Sequence, residues 1–154
     1  GRNMTIEADF AYVDPRGKRW DAPKGSIVNG ASIPRSLWTI IGGPFEGKYR
    51  NASIVHDVYC DSMSEPSEAV HFMFYEACRC GGVPEKKAKI LYYAVATFGP
   101  KWEYLMQSTE DGGGVKAQVV QTTQPLSQEE LTRIEAYFAE HDPDVEDIPG
   151  LRIP

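Results

Sequence analysis

Two stretches of helical periodicity meeting at a proline turn constrain this chain more than any other feature. Over Arg50–Ser62 the apolar residues Ile54, Val55, Val58 and Tyr59 recur at helical spacing, with His56 and Asp57 at the margin of that stripe. Ser64-Glu65-Pro66 is a turn, and residues 68–80 resume the helical pattern with Val70, Phe72, Met73, Phe74 and Ala77 facing inward until Gly81-Gly82 ends it. A helical hairpin is therefore the unit on which the rest must pack. Pro84 opens a third helix, Glu85–Phe98, whose Ile90, Leu91, Tyr93, Ala94 and Ala96 add core and which Gly99-Pro100 closes.

Ahead of the hairpin the period changes. Residues 4–13 alternate and are rich in strand formers, and Asp14-Pro15-Arg16-Gly17 has the chemistry of a tight turn. The chain returns through residues 18–21, and Ser26-Ile27-Val28 adds a third short strand after Ala22-Pro23-Lys24-Gly25. A helix is expected over residues 35–41, capped by Ser32 and stopped at Gly42-Gly43-Pro44.

Behind the third helix the signals thin out. Residues 101–106 read as a helical turn, 109–114 as a polar Gly-rich break and 115–120 as a lone strand. Ser127-Gln128-Glu129-Glu130 has the spacing of a capping box and starts a helix to about His141, and residues 142–154 form an acidic, proline-containing arm that docks or stays mobile. The fold class is α+β: a small N-terminal antiparallel sheet, a helical hairpin and third helix, then a C-terminal helix and extended tail. A core over 4–107, a linker or lone strand over 108–126 and a C-terminal helix with acidic arm over 127–154 are the expected divisions.

At 154 residues, 42% apolar and 25% charged, the chain has the size and balance of one folded domain plus a tail. A net charge of -6 argues against a phosphate-tracking groove, so nucleic acid is not an expected partner. No apolar run reaches the length needed to span a bilayer and no signal peptide is visible. Gly1 to Asn3 ahead of Met4 read as an expression scar. The spacing of Cys60, Cys78 and Cys80 fits neither a zinc ribbon nor a disulfide module, which suits a reducing compartment, and the expected location is cytoplasmic.

Neighbours on a helix diverge by about 100°, so His56 and Asp57 need partners from elsewhere. Counting from the bend between Met63 and Ser64 places His56 and His71 at similar heights on antiparallel helices. The same counting sets Cys60 and Cys78 about 15 Å apart at 1.5 Å per residue, too far for a disulfide. Three readings stay open. His56 is a general base activating water, with a polar group across the hairpin orienting its other nitrogen and Asp57 holding a cation or a structural donor. Alternatively His56, Cys60 and His71 are three ligands of a metal such as zinc. In the third, His56 and Asp57 are a hydrogen-bonded pair that fixes a loop, and His71 is a core histidine.

Gly30-Ala31-Ser32-Ile33-Pro34-Arg35 with Trp38, then His56-Asp57 with Tyr59, then Phe74-Tyr75-Glu76-Ala77 occur here in order. Together they resemble the domain-of-unknown-function family thirteen-fifty-three of phages and bacteria, over residues 4–102. The resemblance implies a shared domain with a common pocket at Asn29, Gly30, Arg35, Trp38 and Tyr59. It also implies two acids that this chain lacks, at the positions of Asn29 and His71. More loosely, the hairpin is similar to that of secreted phospholipase A2, which would make His56 the base and Asp57 a calcium ligand.

These readings lead to two expectations. One is a small hydrolase acting on a lipid or cell-envelope ester, with Ser32, His56, Asp57 and His71 around one pocket and zinc or calcium as the candidate cofactor. The other is a non-catalytic phage-derived accessory or interaction protein, with the C-terminal helix and acidic arm as the surface that docks a protein.

Overall fold

The computed structural model describes residues 3–43, 45–108 and 115–154. The strand formers of residues 4–13 make two short strands, β1 (Met4–Thr5) and β2 (Phe10–Val13). β2 pairs antiparallel with β3 (Arg19–Ala22), from Phe10 opposite Ala22 to Val13 opposite Arg19. Asp14 fixes the intervening turn: its carboxylate accepts the backbone N–H groups of Arg16 (2.9 Å) and Lys18 (3.0 Å) and the indole N–H of Trp20 (3.1 Å). Gly17 supplies the φ of 86° that the turn requires. β1 pairs instead with β4 (Ile27–Val28), so the N-terminal antiparallel sheet is two two-stranded ribbons. The split has a local cause, because the Asp9 carboxylate takes the Lys24 N–H at 2.8 Å and so offers the backbone an alternative to a strand ladder.

The helix expected over residues 35–41 is a 3-10 turn, Arg35–Leu37, running into the single turn α1 (Trp38–Ile41). Ser32 does not cap it; Pro34 stands at the N-cap without a side-chain bond, and the Ser32 hydroxyl is engaged with His56. Gly42, at φ 76°, closes α1, while Pro44 lies outside the described residues.

A second 3-10 turn, Gly47–Tyr49, leads into α2 (Arg50–Ser62), followed by α3 (Ser67–Cys80) and α4 (Glu85–Phe98), as the periodicity predicts. The four residues between α2 and α3 begin with Met63 in the left-handed region, φ 52°. One expectation is corrected here. His56 and Asp57 are at the centre of the buried face of α2, not its margin: Ala52, Ser53, His56, Asp57 and Cys60 are buried at helical spacing, and Ile54, Val58 and Tyr59 are only half-buried. His71 and Phe74 of α3 cover the imidazole of His56.

Residues 101–106, expected as a helical turn, belong to strand β5 (Lys101–Ser108), and the expected lone strand is its partner β6 (Val115–Thr122), with Lys101 opposite Thr122 and Ser108 opposite Val115. The period-2 pair Trp102 and Tyr104 explains the outcome, since both grip the connection between α2 and α3. The Trp102 indole donates to the Glu65 carbonyl at 2.9 Å, and the Tyr104 hydroxyl donates to the Met63 carbonyl. The polar break at 109–114 and residues 1–2 lie outside the described residues.

α5 (Gln128–His141) starts at the predicted capping box, with the Ser127 hydroxyl accepting the Glu130 N–H. Its Leu131, Ile134 and Phe138 join the core against α4. The C-terminal arm docks: a 3-10 turn at Val145–Asp147 inserts a fully buried Ile148, and Lys89 of α4 is held by Glu85 and Asp142, each at 3.3 Å. Among the described residues no helix is long and apolar enough to cross a membrane.

Candidate functional site

His56 and His71 meet across the α2–α3 hairpin with His56 Nε2 2.9 Å from His71 Nδ1. Both rings are buried, and Phe74 packs on His56 with ring centroids 4.6 Å apart. On the far side, His71 Nε2 lies 2.7 Å from the carbonyl oxygen of Pro100. On the near side, His56 Nδ1 lies 3.1 Å from the Ser32 hydroxyl.

The partners assign the protons. A carbonyl only accepts, so His71 Nε2 carries hydrogen and donates to Pro100. Burial lowers the pKa of His71 to about 4, so the ring is neutral near pH 7 and its Nδ1 is an acceptor. His56 Nε2 therefore donates to His71, which leaves His56 Nδ1 to accept from the Ser32 hydroxyl. Burial, with His71 adding to it, holds His56 well below the usual histidine range. The result is a directional chain from Ser32 through both imidazoles to a backbone carbonyl.

Asp57 is not in that chain. Its Oδ2 accepts the Asn29 N–H at 2.9 Å and its Oδ1 faces the Ser32 N–H at 3.4 Å, so the carboxylate straps the loop of residues 29–32 onto α2. The Asn29 side chain reinforces the strap by accepting the Ala31 N–H at 2.8 Å, and Gly30 takes φ 78° between them. Asp57 thus sets where Ser32 stands. The calcium role implied by the phospholipase comparison would need oxygen donors in number, whereas both Asp57 oxygens are turned to backbone N–H groups.

Cys60, one helical turn after His56, brings Sγ to 3.6 Å from His56 Nε2 and also interacts with Ser32. With the two histidines it makes a trio whose donor atoms lie within 4.8 Å of one another. The sulfur and nitrogens are a zinc-type donor set. Two nitrogens on one tetrahedral zinc stand about 3.3 Å apart, given bonds of about 2.0 to 2.1 Å, so the hydrogen-bonded rings would have to separate slightly. Burial, with Asp57 adding to it, also pushes the Cys60 thiol up, away from the thiolate a metal needs. The donors fit zinc by type, and their protonation fits the hydrogen-bonded chain. None of the three cysteines is in a disulfide.

Ser32 lines a cleft of about 550 Å³ between the loop of residues 29–35 and a wall made by Phe98, Gly99, Pro100, Gln124 and Leu126. The Gln124 N–H donates to the Phe98 carbonyl at 3.1 Å and ties that wall together. Asn29, Gly30, Arg35 and Trp38, expected at the pocket, all line it. Tyr59 does not: its ring packs edge-on against Trp20 at 4.9 Å and its hydroxyl accepts the Asp21 N–H at 3.0 Å, anchoring β3 to α2. Sequence reasoning missed Pro100 and the opposite wall, because a backbone carbonyl has no side-chain signature and residues 123–126 fall in the stretch read as a linker. The one usable hint was Gly99-Pro100, which stops α4 beside the hairpin.

The model of one protein family, described as "Protein of unknown function (DUF1353)", matches residues 4–95. The chain is 50% identical over 97 residues to "Uncharacterized protein y4jT" of Sinorhizobium fredii (strain NBRC 101917 / NGR234), covering 63% of this chain and 29% of that protein. It is 39% identical over 109 residues to "Uncharacterized protein y4iH" of the same strain, covering 71% of this chain and 46% of that protein. The chain thus spans less than half the length of these curated relatives. No solved structure matches it significantly. The matched span holds the loop of residues 29–35, α2 and α3, and with it Ser32, His56, Asp57 and His71: the chain belongs to the DUF1353 family.

Proposed function

We propose that this protein is a small hydrolase of esters, in which His56 is the general base, His71 orients it and Ser32 is the nucleophile. The observation that carries the reading is the directional chain from the Ser32 hydroxyl through His56 and His71 to the Pro100 carbonyl. A hydroxyl is a weak nucleophile until a neighbouring base takes its proton, and a base works best when a third group fixes its tautomer. His56 Nδ1 takes the Ser32 proton as Oγ attacks the ester carbonyl carbon. The proton then passes to the departing alkoxide, and water cleaves the acyl-serine by the same route. His71 Nδ1 receives the Nε2–H of the imidazolium throughout. Ile33, Phe98 and Leu126 in the cleft suit an apolar acyl group of lipid or cell-envelope type.

The test is hydrolysis of an acyl-ester panel, including phospholipid and acylated cell-wall fragments, by the native protein and by Ser32→Ala and His56→Gln. Loss of turnover in both, with melting temperatures retained, is the expected result. Turnover that survives in His56→Gln overturns the reading. Turnover that survives only in Ser32→Ala moves the attack to a water molecule.

A second reading, a non-catalytic accessory or interaction domain, is favoured by Asp57, whose bonds to Asn29 and Ser32 lock the loop. It predicts no turnover on any ester and a loss of stability on removing His56. The exposed acidic face of α5 would then be the docking surface, since its apolar face is spent on the core. A third use of the trio, zinc binding, is favoured by the convergence of His56, Cys60 and His71, and metal analysis of the purified protein with a Cys60→Ser control tests it.

A further inference from the structure

We infer that the cleft beside Ser32 takes a substrate bearing an anionic group, a carboxylate or a phosphate, on an apolar chain, and that Arg35 is the residue selecting it. The inference deepens the hydrolase reading by naming the substrate class, and it rests on a separate set of residues. The chain carries a net charge of -6, with 22 acids against 16 bases, so an unselected patch of its surface should display carboxylates. The cleft lining displays none. Among the residues that line it, Arg35 is the one ionisable side chain, surrounded by Ile33, Pro34, Trp38, Phe98 and Leu126.

Arg35 is exposed, and among the described residues it has no ion-pair partner. It is nevertheless placed. Its guanidinium lies over the Trp38 ring, 5.2 Å from the centroid, so the side chain is partly ordered before a ligand arrives. A stacked guanidinium keeps its edge donors available, and that edge matches the two oxygens of a carboxylate or phosphate. Arg35 and Ser32 lie three residues apart on the strapped loop, with the intervening Ile33 and Pro34 also in the lining. A molecule whose anion meets Arg35 therefore lays its chain along the apolar wall beside the nucleophile.

Direct binding tests this apart from catalysis. Hexanoate, hexyl phosphate and uncharged hexanol are titrated into the intact protein by isothermal calorimetry and followed by ligand-observed NMR, with Arg35→Gln and Arg35→Lys beside the native chain. One or both anions should bind more tightly than hexanol. Arg35→Gln should weaken that anion by about tenfold, the scale of one charge-assisted hydrogen bond, and leave hexanol unchanged. Arg35→Lys should recover only part of the loss. The stronger of the two anions identifies the source of the charge. Equal binding of hexanol and both anions, or anion binding unmoved in Arg35→Gln with a native melting temperature, overturns the inference. Selective anion binding in a protein that hydrolyses no ester sinks the hydrolase reading and leaves this one standing.

Discussion

His56 Nε2 donates to His71 Nδ1 across the hairpin, and the direction of that bond is set by a carbonyl on the other side of His71, at Pro100. Replacing His71 with Leu removes the nitrogen acceptor at His56 Nε2 and leaves the buried N–H only the weak sulfur acceptor of Cys60, 3.6 Å away. The expected cost is about 1 to 3 kcal/mol in urea unfolding, and under the hydrolase proposal turnover is lost as the ring is freed to change tautomer.

Placing an acid at position 71 should act in the opposite sense on the base. In His71→Asp a carboxylate faces the His56 Nε2–H, which stabilises the imidazolium and raises the His56 pKa. NMR titration of His56 should report the rise. Under the hydrolase proposal, a pH–rate profile should show its acidic limb moved to higher pH, with faster turnover at neutral pH.

Stability should fall in acid. Burial places His71 at about 4 in the folded protein against its ordinary value of 6.5, and depresses His56 as well. Between those values the unfolded chain binds more protons than the folded one, so stability is full above about pH 6.5 and drains as pH falls. The His71 part alone is about 3 kcal/mol, spent by about pH 4. Unfolding midpoints across pH 4 to 7 test it, and a flat midpoint in native protein would contradict the buried neutral pair.

Asp57→Ala should release the loop instead of the base. Two backbone N–H groups lose their acceptor, at a cost of about 2 to 4 kcal/mol, and hydrogen exchange at Asn29 and Ser32 should rise sharply. Asp57→Asn keeps one acceptor oxygen and should be intermediate.

Ile148→Ala tests the docked arm. A fully buried isoleucine truncated to alanine costs about 2 to 5 kcal/mol, and the same variant should free Lys89 from Asp142, visible as faster exchange near the end of α5.

The three long helices and the capping box were legible from period and punctuation, because Pro66, Gly81-Gly82, Pro84 and Gly99-Pro100 mark their limits in the chain itself. The meeting of His56 and His71 followed from counting about a bend. The burial of His56 did not, since Ala52, Ser53 and Cys60, buried on the same helix, carry weak apolar signals. β5 was misread for a related reason: Trp102 and Tyr104 are decided by the connection they grip, which is tertiary information. Ser32 read as a helix cap because its sequence position before Pro34 suits one, and only the fold brings a stronger partner to its hydroxyl.

The short connection from Met63 to Pro66 works as a caliper for the whole site. It has four residues, Met63 takes a backbone conformation few side chains favour, and Trp102 and Tyr104 clamp its carbonyls. One added residue would lengthen the connection by up to about 3.5 Å of chain and loosen the height match of His71 to His56 without altering either side chain. The hydrogen-bonded chain from Ser32 to Pro100 is thus stored in a length as much as in a composition. Substitutions along α3 change which groups meet His56, whereas insertions in that connection change whether they meet it at all.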